Sequence, residues 1–240
     1  SEAIALFQRV LESYQRKLGD NSAPMANTTE RIALAFYNQK NYLKAEAYCQ
    51  KLLTISEKLY GGESGKVAGV YTFLGDIYRS QRLMEAADVN YLMAININDR
   101  ILTREQKKER TDIDNYTCFL YHKGYQENRF MEASAQVRQF RSPRFETVGS
   151  DRAVQSGVLN GKAIKLAKPS YPRVGARGFV VVTVTIDETG KVIEAKGECG
   201  IRGFFSASEE AARRSKFTPT LLNGIPVRVS GTILYNFGSN

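Results

Sequence analysis

A self-similarity at an interval of 42 residues constrains this chain more than any other feature. The stretch "IALAFYNQKNYLKAEAYCQKLLTISEKLYG" from Ile32 repeats its pattern in "LGDIYRSQRLMEAADVNYLMAININDRIL" from Leu74. The shift aligns Ile32 with Leu74, Ala33 with Gly75, Phe36 with Tyr78, Ala45 with Ala87, Cys49 with Tyr91 and Ile55 with Ile97. One step back places Ala3, Phe7, Val10 and Leu11 in the same register. The sequence therefore opens inside a unit, and further sequence is expected upstream. Units of this length cannot bury an apolar face alone, so they stack.

Each unit reads as two amphipathic helices. Tyr71, Leu74, Gly75 and Tyr78 recur at spacings of three and four, which is one face of a helix. Ala87, Tyr91, Ala94 and Ile95 do the same on its partner. Gly75 and Ala87 are small enough to let two helices approach, while Tyr78 and Tyr91 fill the space between pairs. This pattern resembles the tetratricopeptide repeat (TPR), and the period with the "EKLYG" ending is similar to its kinesin-light-chain type. The resemblance covers residues 1–141 and implies a right-handed array of helical hairpins. The third unit departs from it. Tyr116 and Leu120 keep register, but the next small residue, Ala133, comes four positions late after "HKGYQENRF". A longer loop or a shifted helix is expected there.

Such arrays bind proteins or peptides along a concave face lined by first helices. By register that face holds Asn27, Glu30, Leu34 and Tyr37, then Thr72, Asp76 and Arg79, then Asp114, Cys118 and Tyr121. The set is mixed in charge and lacks a Lys/Asn/Arg cluster for a terminal carboxylate. A spacer or a self-association surface is the alternative reading.

Helical periodicity ends at Arg141. Residues 142–156 read as a linker, and residues 157–240 as a separate strand-rich module. Val180, Val182, Val184 and Ile186 share one face of a strand, with Val181, Thr183 and Thr185 on the other. "DETGK" from Asp187 closes a hairpin, with Gly190 supplying positive φ. "SASE" from Ser206 has the form of a capping box ahead of a helix carrying Ala211 and Ala212. Asn223-Gly224 turns the chain into a last alternating strand. The order β-β-α-β gives a small antiparallel sheet backed by one helix. The whole chain is thus a multidomain protein, α followed by α+β.

Tyr171-Pro172, Ile186-Asp187 through Gly190 to Val192, Lys216-Phe217 with Pro219, and Gly224 to Val227 resemble the TonB C-terminal domain family. The resemblance implies a protein of a Gram-negative-type bacterial periplasm or cell envelope, anchored through sequence upstream. It implies that the last strand takes an extended N-terminal peptide of an outer-membrane transporter by strand addition, with energy transduction for transport. A final strand with no successor is expected at a sheet edge, where its unpaired N–H and C=O groups can receive a peptide. The residues concerned are Arg228, Val229, Ser230, Gly231, Thr232, Ile233, Leu234, Tyr235 and Asn236, with Tyr171 and Pro172 setting the arm beside that edge. The alternatives are an edge covered by the chain's own arm or by a second copy in a homodimer, and an envelope scaffold without energy coupling.

The net charge of +9 is densest after residue 150, but no aromatic-basic motif accompanies it, and no nucleic-acid partner is expected. The three cysteines, Cys49, Cys118 and Cys199, form no CxxC pair, and an odd count argues against a metal site or a disulfide framework. With His122 the one histidine, no catalytic constellation can be assembled; no enzyme, metal or cofactor is expected.

Overall fold

The computed structural model describes residues 2–103, 110–126, 129–141, 154–159, 163–171 and 177–238. Contacts divide the chain into two units, Ser1–Tyr116 and Thr117–Asn240.

The first unit is helical: α1 (Glu2–Leu18), α2 (Ala23–Asn38), α3 (Tyr42–Tyr60), α4 (Gly65–Ser80), α5 (Met84–Ile101) and the start of α6 (Thr111–Gln126). The two expected pairs are α2/α3 and α4/α5. Pro24 sits in the first turn of α2, where no intrahelical N–H is lost. Asn41 caps α3 by accepting from the Lys44 N–H at 3.3 Å, and Ser64 caps α4 by accepting from the Val67 N–H at 3.3 Å.

The period reaches into the backbone. Lys40 and Arg82, one repeat apart, both adopt positive φ (60° and 64°). Beside them the Asn41 N–H bonds the Phe36 carbonyl and the Leu83 N–H bonds the Tyr78 carbonyl, each at 2.9 Å. This left-handed closure satisfies carbonyls at a helix end. Gly75 is what lets α4 and α5 close, because a Cβ there would lie 2.8 Å from the Tyr91 ring.

Ahead of α6, Arg110 is buried and held on several sides. Its guanidinium donates to both carboxylate oxygens of Asp112 (2.9 and 2.6 Å) and to Asp99 (2.6 Å). Burial pushes the Asp112 carboxyl up, but hydrogen bonds from Arg110 and Asn98 outweigh it and hold the group below its ordinary value.

The second unit holds the rest of α6, α7 (Phe130–Arg141), β1 (Val154–Val158), β2 (Ala163–Lys165), β3 (Gly178–Ile186), β4 (Val192–Gly200), α8 (Phe205–Arg214), β5 (Lys216–Phe217), β6 (Thr220–Leu222), β7 (Ile225–Val227) and β8 (Val229–Phe237). Its main sheet has the order β1-β8-β3-β4, with β2/β5 and β6/β7 as two-stranded additions. The pair β1-β8 is parallel, so the sheet is mixed rather than purely antiparallel.

The expected hairpin turn is present. Asp187 Oδ1 accepts from the Thr189 hydroxyl (2.7 Å) and from the N–H groups of Thr189 and Lys191 (both 2.9 Å). These bonds, the Thr189 hydroxyl first, hold the Asp187 carboxyl below its ordinary value. Gly190 has φ 85°, and a Cβ there would meet the Phe217 carbonyl at 1.9 Å.

One face of the sheet, with Val180, Val182, Val184 and Ile233, packs in one core with Ala211 and Ala212 of α8 and with Phe204. The opposite face is met by the end of the helical sequence. The His122 ring lies 5.8 Å from Phe179, and Cys118 forms a disulfide with Cys199, the cross-strand neighbour of Val181.

Three further expectations change. The odd cysteine count did not exclude a disulfide, because two of the three sulfurs meet across 81 residues while Cys49 stays buried and free. The domain limits of 1–141 and 157–240 give way to a division after Tyr116, because α7 and the last ten residues of α6 group with the sheet. The capping box at Ser206 is not used. Arg202–Phe204 form a 3-10 turn, the helix starts at Phe205, and Glu209 instead accepts from the Gly197 N–H at 2.8 Å. The late Ala133 has its reason too: a Cβ on Gly124 would lie 2.4 Å from the Ala133 methyl, so α6 and α7 make their close approach at that pair.

Candidate functional site

The expected binding residues form two sets, the repeat face and the final strand. On α2, Asn27, Glu30 and Leu34 are exposed, as a docking face requires. Further along, the face is engaged with itself. The Tyr37 hydroxyl pairs with Ser80 at 3.1 Å, and Asp76 accepts from Tyr91 at 2.7 Å and pairs with Arg79 at 3.1 Å. Burial, then Asp76, pushes the Tyr91 phenol up, so it stays a neutral donor. Thr72 returns its hydroxyl to the Ala68 carbonyl at 3.1 Å. Asp114 is exposed in the first turn of α6, whereas Tyr121 is 2% exposed and stacked on Phe130 at 5.2 Å. Tyr121 is therefore a core residue, packed against Phe130 of α7. Cys118, expected on the same face, is in the disulfide.

A cavity of about 270 Å³, not foreseen from the sequence, opens between α2, α3 and α4. Asn27 and Glu30 line it from α2, Ser56 from α3, and Lys66, Gly69 and Phe73 from α4. Gly69 stands where the preceding unit has Asn27, and a Cβ there would meet nothing within 4 Å. That substitution between equivalent positions was the available signal. Nearby, burial and then Glu30 push the Cys49 thiol up to about 12, so it is inert as a nucleophile.

In the second unit the final strand alternates as expected. Val229, Gly231, Ile233 and Tyr235 are buried; Ser230, Thr232 and Leu234 are half-buried; Asn236 is exposed. Arg228 precedes the strand and approaches Glu188 at 3.8 Å. The strand is not at an edge. One side pairs with β3 through nine aligned residues, from Gly178 opposite Phe237 to Ile186 opposite Val229. The other side carries β1, with Val154, Gln155 and Val158 opposite Val229, Ser230 and Thr232. The Leu159 N–H adds a bond to the Thr232 carbonyl at 2.8 Å. A last strand needs no successor to be covered, because an earlier segment can return in parallel. Tyr171 is 52% exposed, with its ring 5.6 Å from Phe204 and 5.8 Å from Phe237 at the end of that core. Pro172 lies outside the described residues.

Among the described residues no group of His, Cys, Asp and Glu side chains could hold a metal ion, and no helix is long and apolar enough to cross a membrane.

The tetratricopeptide repeat family model matches residues 24–100. No curated protein matches the chain significantly. Among solved structures, BtubC (BKLC) from P. vanneervenii is similar at 20% identity, with 64% of this chain and 61% of that one covered and a TM-score of 0.48. A kinesin light chain candidate from Podosopora anserina, with nearly identical TPR-like repeats, is similar at 15% identity over 63% of this chain and 70% of that one, also with a TM-score of 0.48. The chain thus spans less than two thirds of the length of the first of these. On the family match, the helical unit carries tetratricopeptide repeats over residues 24–100, a protein-interaction fold, and a small sheet region follows it.

Proposed function

We propose that this chain is an interaction protein of the bacterial cell envelope, whose repeats dock a partner protein and whose sheet takes an extended peptide in exchange for β1. The observation that carries the reading is the unequal hold on β8. Among the described residues nine aligned pairs join it to β3, whereas three aligned pairs and the Leu159 N–H bond join it to β1, with an irregular register. A longer extended peptide offers more main-chain bonds to the same N–H and C=O groups, and strand addition draws its affinity from such bonds.

The chemistry of the partner follows from the resemblance of residues 157–238 to the TonB C-terminal domain. It is the N-terminal peptide of an outer-membrane transporter, engaged for energy transduction. The Cys118–Cys199 disulfide supports the compartment, since such bonds persist in the periplasm and are rare in the reducing cytosol.

The test uses the full chain, isotopically labelled and titrated with synthetic transporter N-terminal peptides. Exchange predicts shifted amides along Val229–Phe237, together with faster hydrogen exchange at Leu159. Unshifted β8 amides at millimolar peptide, with Leu159 still protected, would rule the exchange out.

A further inference from the structure

We propose that Glu209 and Arg213 of α8 close the outer edge of β4 against strand addition by a second copy of this chain. The main sheet runs β1-β8-β3-β4, so β4 is its end strand on the side opposite to β1. The inference concerns that opposite end and does not depend on the exchange at β1.

An open end of this length carries a hazard. Among the described residues no strand pairs with β4 on the side away from β3. β5 meets the chain just ahead of it, where the Phe217 N–H bonds the Gly190 carbonyl at 2.9 Å. A nine-residue end strand is a template for a second copy, since each copy presents the same N–H and C=O groups.

Two side chains occupy that template. The Gly197 N–H donates to Glu209 Oε1 at 2.8 Å, and Arg213 Nη2 donates to the Ala195 carbonyl at 3.0 Å. Ala195 and Gly197 stand opposite Val184 and Val182 of β3. Opposite pairs in an antiparallel ladder alternate between bonded and open, so residues two apart share a phase. The Gly197 N–H and the Ala195 C=O therefore belong to one open set, facing away from β3. An added strand would need those same groups. Both are held by ionised partners, which make the stronger hydrogen bonds.

The local sequence brings the pair within reach. Glu209 and Arg213 lie one helical turn apart on α8, 3.8 Å from each other. Beneath them stand the two smallest residue types, alanine and glycine. A Cβ on Gly197 would lie 2.7 Å from the Phe205 ring, so glycine lets the start of α8 lie low on β4. An ion pair confined to a helix surface contributes little, whereas here both members also bond the backbone of another element.

The experiment follows hydrogen exchange at Ala195 and Gly197 in the full chain, at low and high protein concentration. The variants are Glu209→Ala/Arg213→Ala, Glu209→Ala alone, Glu209→Gln, and Glu210→Ala/Arg214→Ala as a control. Glu210 and Arg214 are exposed on the same helix, and their removal changes the charge identically. In the dilute Glu209/Arg213 variant, Gly197 should exchange roughly tenfold faster than in wild type, the effect of losing one hydrogen bond to a charged group. At high concentration its protection should return as two copies pair through β4, and sedimentation should show a dimer. Glu209→Gln keeps an acceptor oxygen and should behave as wild type, as should the control.

An Ala195–Gly197 edge that never regains protection with concentration would overturn the proposal, as would the same association in the control. Concentration-dependent protection of β4 in the wild type would overturn it too, because the edge would already be in use. Glu209→Ala alone covers a double variant that fails to fold: Gly197 exchange equal to wild type there sinks the idea. These measurements contain no peptide, so unshifted β8 amides in the peptide titration would end the exchange at β1 without touching this result.

Discussion

In the helical unit the decisive contacts stay close in sequence: Gly75 admits Tyr91, and the turn at Lys40 recurs at Arg82. In the sheet unit they reach far: β1 covers β8, and Cys118 bonds Cys199 across 81 residues. Local contacts let each repeat stack on its neighbour, so stability adds up unit by unit. Long-range contacts must close large loops before they give anything back, so the sheet unit depends on a few distant links. The comparison implies that damage in one unit should stay there.

The largest expected effect breaks the comparison at its most connected polar site. Arg110→Ala leaves Asp112 buried without its guanidinium partner, and losing one member of a buried pair costs about 3–5 kcal/mol. Hydrogen exchange should quicken in α5 and the start of α6 while β3 keeps its protection. Equal loss in β3 would mean that the two units unfold as one.

Reduction of the disulfide probes the other side. Loss of a cross-link over a loop of this length removes about 2–5 kcal/mol. Under reductant, β3 and β4 should exchange faster while α2 to α4 stay unchanged. The division at Tyr116 fails if α2 to α4 loosen to the same degree.

The smallest effect sharpens the account of the β3–β4 turn. The folded Asp187 carboxyl titrates below its ordinary value, so its contribution is complete above the unfolded carboxylate range and is lost as pH falls through the depressed folded value. Asp187→Asn should be less stable than wild type at neutral pH, and the gap should close as the solution is acidified. Denaturant titrations at a series of pH values measure it; a gap independent of pH would show that the turn does not use the charge.

Much of the fold was legible because its causes are local. The repeat face at Tyr71, Leu74, Gly75 and Tyr78, the Asp187–Gly190 turn and the alternation of β8 all depend on residues within a few positions of one another. The candidate site was less legible. Asn27, Glu30 and Leu34 are exposed as register required, but Asp76 and Arg79 are tied to neighbours, and Tyr121 is buried against Phe130 of α7. β1 straddles the boundary between the stretch that read as linker and the module after it, since "VQSGV" holds a serine and a glycine and lacks strong alternation.

What the sequence determined by itself was the repeat, its period, and the hairpin and strand that follow, because side-chain periodicity and turn chemistry act over a few residues. What only the tertiary structure decided was which segment covers β8, which cysteines meet and where a cavity opens. Those depend on distant segments competing for the same open N–H groups, sulfur atoms and apolar surface, and geometry in three dimensions settles that competition.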